Sequence, residues 1–373
     1  MRFPDLKPVT LFLQRRSSKA GAQVGLARLI TNPAMRVINP VLVTMREGWL
    51  TEQCAKVDIP YLIQDFPRSR SWKGQLFANR AFGRDLLQAA QGRGWNPVLV
   101  QGNDHLEGLL ALEVMRRGQI SGIMFLRSSE MTHRDFSKYR CDRFSMIYAV
   151  GEELAAKAKK WAPQVEVRTL ADGIDESDFL SAKTKAAHFP TKILVVGSES
   201  HYKGWADLAA AVDLLEENDE FPCLTFDFTG EAPDARLNDM HLSRRRRAKF
   251  RFIGRTDKFA ELVRQYDLII HPSREESFGI APMEIIAAGV PLLCSRTGAI
   301  MKIRTAKEWL FEPLNPPDLA FRLGFLHEHW TTITVDIAEC QKRIRDQFLM
   351  SRVVGDIVGG FQTLIAKKTL FRI

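Results

Sequence analysis

Residues 267–295 read DLIIHPSREESFGIAPMEIIAAGVPLLCS. The apolar run ending at His271 gives way to a polar loop from Pro272 to Glu276, and Gly279 marks a turn. A helix is expected to begin near Ala281–Pro282, because proline fits a first helical turn, where its missing N–H would have no partner. The run VPLLCS, 290–295, is again strand-like. A strand, loop, helix and second strand in so short a space are the unit from which helix-covered parallel sheets are built. In that geometry the backbone N–H groups of Phe278, Gly279 and Ile280 point out of the helix start and form an anion site suited to a phosphate. Glu276 lies in the loop and Glu284 about one turn into the helix. Spacing alone leaves two readings of these carboxylates, as solvated acids that favour the helix dipole or as ligand contacts.

The same alternation extends in both directions. Upstream, strand-like runs at 9–14, 39–45, 60–63, 96–102, 121–129 and 144–150 are separated by helical patterns, including one from Trp72 to Gln91. A polar stretch from Asp172 to Pro190, DGIDESDFLSAKTKAAHFP, reads as a linker. Beyond it come strand-like runs at 192–197, 224–230, 249–254, 267–273 and 290–295. The fold class is therefore α/β, with two Rossmann-like domains expected to face each other across a cleft at the carboxyl ends of their sheets. The expected domains are 1–175 and 176–345, with a helical tail 346–373 returning to the first domain.

The 373 residues suit two ordinary domains, and a composition of 45% hydrophobic and 26% charged residues is globular. No apolar run approaches the roughly 18 residues of a membrane span, and the N-terminal stretch lacks the apolar core of a signal peptide. A cytoplasmic location is expected, with peripheral binding to the inner face of the plasma membrane. Five scattered cysteines without CxxC spacing read as reduced core thiols. A net charge of +9 and a pI of about 9.4 point to an anionic partner: nucleic acid, acidic lipid or a phosphorylated substrate.

The opening segment resembles the E-x7-E signature of the retaining glycosyltransferases of family 4, which have the GT-B fold. Pro272, Ser273, Glu276, Phe278, Gly279, Glu284, Ala287, Gly289 and Pro291 match, and Ile285 stands where alanine is usual. KILVVGSESHYKGWADLAAAVDLL resembles the family's first strand of the nucleotide domain, giving Gly197, Lys203 and Gly204. Ser198 replaces a common arginine there, which makes Arg274 a candidate for the missing phosphate contact. RFIGRTDKFAELVRQYDLIIHPS resembles the stretch whose backbone, near Ile253 and Gly254, pairs with the nucleobase. LADGIDESDF resembles the family's N-G-I-D-x-x-x-F, with Asp172 for asparagine.

The resemblance implies a retaining, metal-independent hexosyl transfer, with no cofactor beyond the donor itself. Lys203 is expected on the donor diphosphate, Glu284 on the ribose and Glu276 on the sugar. The first half matches less closely. Gly21 takes the place of a Gly-Gly loop near the phosphate, and Asp104 and His105 follow one strand end as acceptor contacts. Arg127 follows the next strand end, where family members often place a histidine or an acid, and is expected as a catalytic cation near the departing diphosphate. The expected partners are a nucleotide-sugar, with UDP-sugars first among the candidates, and a saccharide or glycolipid acceptor of bacterial envelope synthesis such as a lipopolysaccharide core.

Two basic stretches remain. Residues 244–255 carry seven cations and read as a solvated face, while 65–84 mixes five cations with Trp72, Phe77 and Phe82 in a pattern suited to an anionic membrane surface. Other readings are a nucleotide-sugar epimerase of the same architecture, or a non-catalytic saccharide or nucleic-acid binder on a degenerate transferase fold.

Overall fold

A computed structural model of the chain describes residues 6–67, 72–232 and 246–370. The chain divides into two compact units, one from Met1–Gly173 with Met350–Ile373 and the other from Ile174–Leu349.

The first unit is a seven-stranded parallel sheet of β1 (Lys7–Leu13), β2 (Pro40–Thr44), β3 (Tyr61–Ile63), β4 (Trp95–Gly102), β5 (Ser121–Leu126), β6 (Met146–Val150) and β7 (Glu166–Leu170), in the order 3-2-1-4-5-6-7. PVLVT and MIYAV are buried at every residue, as strands covered on both faces must be. The order reverses between β1 and β4, so the loops after these two strands flank the switch point where such sheets bind ligands. The helix Met350–Leu370 completes this unit from the far end of the chain. Its Phe361 stacks on Phe12 at 5.6 Å and meets Phe125 edge-on, and the Tyr148 hydroxyl donates to Asp356 O at 3.2 Å.

The second unit is a six-stranded parallel sheet of β8 (Lys192–Val195), β9 (Thr225–Phe228), β10 (Lys249–Phe252), β11 (Ile269–His271), β12 (Leu292–Ser295) and β13 (Leu310–Phe311), in the order 10-9-8-11-12-13. Here the switch point lies between β8 and β11. Among the described residues, no helix is long and apolar enough to cross a membrane.

Several expectations change. The edge strands β7 and β13 are additions to the expected set: EVRTL buries only Val167 and Leu170, because a strand with one neighbour tolerates polar residues, and β13 has only two residues. The stretch 172–190 is no loose linker beyond Gly173. Leu180 and Lys183 donate backbone N–H groups to Ala287 O and Gly289 O, and the Lys183 ammonium binds Arg264 O and Tyr266 O. In the run 244–255, Arg247, Lys249, Arg251 and Arg255 are exposed as expected, but several of the described cations are paired rather than merely solvated. Arg246 is nearly buried in a two-point contact with Asp213, Arg247 donates to the carbonyls of Glu216, Asn218 and Asp219, and Arg251 forks onto Asp227. Arg244 and Arg245 lie outside the described residues.

In the first basic stretch, Arg68 and Arg70 lie outside the described residues, as does the side chain of Trp72. Phe82 turns inward against Phe66, whereas Phe77 is 66% exposed beside exposed Lys73, Leu76, Arg80 and Arg84. Four cysteines are buried free thiols, but Cys223 is exposed.

Candidate active site

In the second unit, the loops after β8 and β11 are laced together. Gly204 has φ +70°, and a Cβ there would lie 1.7 Å from Pro272 O. Arg274 donates its backbone N–H to Tyr202 O at 2.7 Å, and the Ser273 hydroxyl reaches the same carbonyl at 3.3 Å. This contact brings Lys203 to Glu276, with Nζ 2.5 Å from Oε1. His271, the last residue of β11, approaches the same oxygen with Nε2 at 3.0 Å, and its Nδ1 lies 2.9 Å from Val196 O. Burial pushes the Glu276 carboxyl up, but the hydrogen bond from His271, the charges of Lys203 and His271, and the Lys203 hydrogen bond outweigh it and bring it down to about 2.

The helix Ile280–Ala287 starts directly after this carboxylate, one residue earlier than expected. Its N-cap, Gly279, is left-handed at φ +85°. Among the described residues, the backbone N–H groups of Phe278, Gly279 and Ile280 meet no acceptor, as a helix start requires. The Phe278 ring belongs to the core, edge-on to Phe348 at 5.1 Å, so only its backbone faces the helix start. Glu284 is half-buried on the helix one turn in. A cation, a carboxylate and a set of free amides thus meet at one strand switch point, an arrangement that can hold a diphosphate and orient a hydroxylated ligand.

Other expected residues lie apart from this cluster or are otherwise engaged. The Gly197 amide is hydrogen-bonded to the Thr229 hydroxyl at 3.1 Å, and its Cα faces Trp205 and Lys203, leaving no room for a side chain. Arg274, expected as a phosphate contact, is committed to Asp207 through a two-point contact of 2.7 Å at each oxygen. Ile253 donates its N–H to Phe228 O, while Gly254 sits at φ +74°, where an added Cβ would meet only Glu231 Oε1 at 3.8 Å. His271 and Asp207 are additions that sequence reasoning missed. A histidine closing an otherwise apolar strand beside the signature was the available signal, since a polar group at the carboxyl end of a parallel strand is where ligands and loop anchors sit.

In the first unit, Arg127, expected as a catalytic cation, is buried and paired with an aspartate. Its side chain is 5% exposed, Nη1 binds Asp172 Oδ1 at 2.6 Å, and Nε donates to Asn103 Oδ1 at 3.0 Å. A Cβ on Gly25 would lie 2.2 Å from Asp172 Oδ1, so the helix Gly21–Ile30 packs directly on the pair. The charge of Arg127 is therefore balanced inside the unit. Gly21 opens that helix, and a Cβ added to it would meet nothing within 4 Å, so no contact within the unit demands a glycine there.

His105 stands edge-on to Tyr139 at 5.1 Å with Nδ1 against Asp104 Oδ1. Burial lowers its proton affinity, but the hydrogen bond and charge of Asp104, aided by Glu107 and Asp135, raise it overall. Neighbouring Glu107 is 3% exposed, and its Oε1 accepts the Arg15 N–H at 3.2 Å. Burial first, and then the charge of Asp104, push its carboxyl up to about 7 from 4.5. A folded value above the unfolded one means stability that is fully present below pH 4.5 and lost as pH rises through 7. Glu107→Gln is accordingly expected to stabilise the protein by about 2–3 kcal/mol at pH 8 and to change little at pH 4.5. Urea unfolding at the two pH values measures the difference, and equal effects at both would exclude this origin.

Among the described residues, no group of three or more His, Cys, Asp or Glu side chains could hold a metal ion.

Comparison with known proteins agrees with this layout. Residues 176–330 match the family glycosyl transferases group 1. The chain is 30% identical over 137 residues to glycogen synthase of Mycobacterium tuberculosis, covering 36% of this chain and 33% of the synthase. It is 27% identical over 199 residues to the lipopolysaccharide core biosynthesis mannosyltransferase LpsB of Rhizobium meliloti, covering 49% of this chain and 54% of that protein. The aligned regions thus span a third to about half the length of these relatives. Anabaena Alr3699/HepE, solved in complex with UDP-glucose, superposes with a TM-score of 0.75 at 16% identity over 95% of this chain and 99% of that one. The fold is GT-B, built from two Rossmann-like domains.

Proposed function

We propose that the protein is a glycosyltransferase that moves a hexosyl group from a nucleotide-sugar, a UDP-sugar first, to a saccharide or glycolipid acceptor with retention of configuration and without a divalent metal. The observation that carries this reading is the meeting of Lys203, Glu276 and the helix-start amides of 278–280 at one switch point, inside the segment that matches the group 1 family. The amides and Lys203 would hold the diphosphate, Glu284 the ribose and Glu276 the sugar, with Gly197, Ile253 and Gly254 lining the nucleotide's path. As the glycosidic bond breaks, the departing phosphate oxygen would take the proton of the acceptor hydroxyl. Positive charge for that phosphate comes from an ammonium and from fixed dipoles. His105 is the group of the first unit best suited to contact an acceptor hydroxyl.

The resemblance to lipopolysaccharide core LpsB supports an acceptor in bacterial envelope polysaccharide or lipopolysaccharide synthesis. The stripe of Lys73, Phe77, Arg80 and Arg84 supports a place on an anionic membrane, because cations beside an exposed aromatic ring suit a lipid headgroup layer.

A thermal-shift screen over UDP-, GDP- and ADP-sugars tests the donor, since a ligand at a hundredfold excess over Kd adds about 2.7 kcal/mol. With the donor in hand, Glu284→Gln is expected to weaken nucleotide affinity about tenfold, and Glu276→Gln to lower turnover while nucleotide affinity holds. Full turnover and donor affinity in both variants would overturn the assignment.

A further inference from the structure

Within the donor-site reading above, we propose that His271 is a positioning residue for the sugar: it holds Glu276 by Oε1 and so reserves Oε2 for a sugar hydroxyl. The ring is 3% exposed and lies between two oxygens, Val196 O at 2.9 Å from Nδ1 and Glu276 Oε1 at 3.0 Å from Nε2. A carbonyl oxygen only accepts, so Nδ1 must carry a proton, since a bare Nδ1 would set two lone pairs against each other. The ionised Glu276 carboxylate only accepts as well, so Nε2 donates to it.

Oε1 therefore receives two donors, His271 Nε2 and Lys203 Nζ, while no hydrogen bond from the described residues reaches Oε2. With Oε1 saturated, an incoming hydroxyl has the second oxygen to bind. The two donors differ in what they can do next. Lys203 is a flexible ammonium that a diphosphate will attract, whereas the imidazole is clamped at its other nitrogen to the residue preceding Gly197. When Lys203 turns to phosphate, His271 alone keeps the carboxylate aimed. It also fixes the spacing between that carboxylate and the loop after β8.

Two substitutions separate this role from simple anchoring. Glutamine can place an N–H near the Nε2 position, toward Glu276, and asparagine near Nδ1, toward Val196. The assay is hydrolysis of whichever of UDP-, GDP- or ADP-glucose the wild type uses, with the affinity for the matching free nucleoside diphosphate measured in parallel. His271→Asn is expected to lower kcat about 10²-fold with nucleotide affinity kept within about twofold, and His271→Gln to recover most of that loss. The proposal is overturned if His271→Asn keeps its kcat, if glutamine is no better than asparagine, or if nucleotide affinity falls together with kcat, as it would for a purely structural anchor. A wild type that hydrolyses none of the sugars would instead overturn the donor-site reading, and the inference with it.

Discussion

Lys203→Ala is expected to lower nucleotide-sugar turnover by about 10²–10³-fold, the scale on which removal of one preorganised charge partner acts. Two losses combine. The ammonium that would neutralise the departing diphosphate disappears, and Glu276 keeps only the hydrogen bond from His271. The second loss has its own signature in stability. In the folded protein the Glu276 carboxyl lies at about 2, below its ordinary 4.5, so its contribution is present above pH 4.5 and is lost as pH falls toward 2. Acid unfolding of Lys203→Ala should accordingly begin at higher pH than that of the wild type, and Lys203→Arg should restore part of both effects. Unchanged acceptor-stimulated hydrolysis in Lys203→Ala would remove Lys203 from the donor site.

The second large effect is on folding. Gly204→Ala is expected to cost about 4 kcal/mol or more, through a Cβ driven into backbone added to the roughly 1–2 kcal/mol of a left-handed alanine. The added methyl would lie 1.7 Å from Pro272 O and 2.7 Å from its carbonyl carbon. Neither backbone can yield cheaply, because Tyr202 O is held by the Arg274 N–H and Arg274 in turn by Asp207. Gly279→Ala is the control. It has the same sign of φ, at +85°, but its nearest neighbour would be 3.6 Å away, so it should show the conformational cost alone, about 1–2 kcal/mol. Urea midpoints for the two variants should differ clearly; similar midpoints would mean that the loop after β8 can move away from Pro272.

Most of the fold was legible because parallel strands buried on both faces are short apolar runs, and runs such as PVLVT, MIYAV and KILV announce themselves. EVRTL did not, since an edge strand has no such demand. In the candidate site, the resemblance at 267–295 located Glu276 and the helix start, and a second resemblance, in the segment that begins at Lys192, located Lys203. Neither could show which cations already have partners. Arg127, Arg246 and Arg274 look alike in sequence as available charges, and each proves to be paired with an aspartate far away in the chain, Asp172, Asp213 and Asp207. The first case explains two departures from the family pattern at once. An arginine where a histidine or acid is often found, and Asp172 where asparagine is usual, are the two halves of one buried pair.

The division of the chain also bears on how it is made. The first unit draws on Met350–Ile373, and its core includes Phe361 against Phe12 and Phe125. During synthesis the second unit, Ile174–Leu349, is therefore complete while the unit that precedes it in the message still lacks its closing helix. The sequence of the second unit is thus finished before that of the first. Until residue 361 emerges from the ribosome, an aromatic face of the early sheet stays uncovered, the period when a holdase would have most to bind.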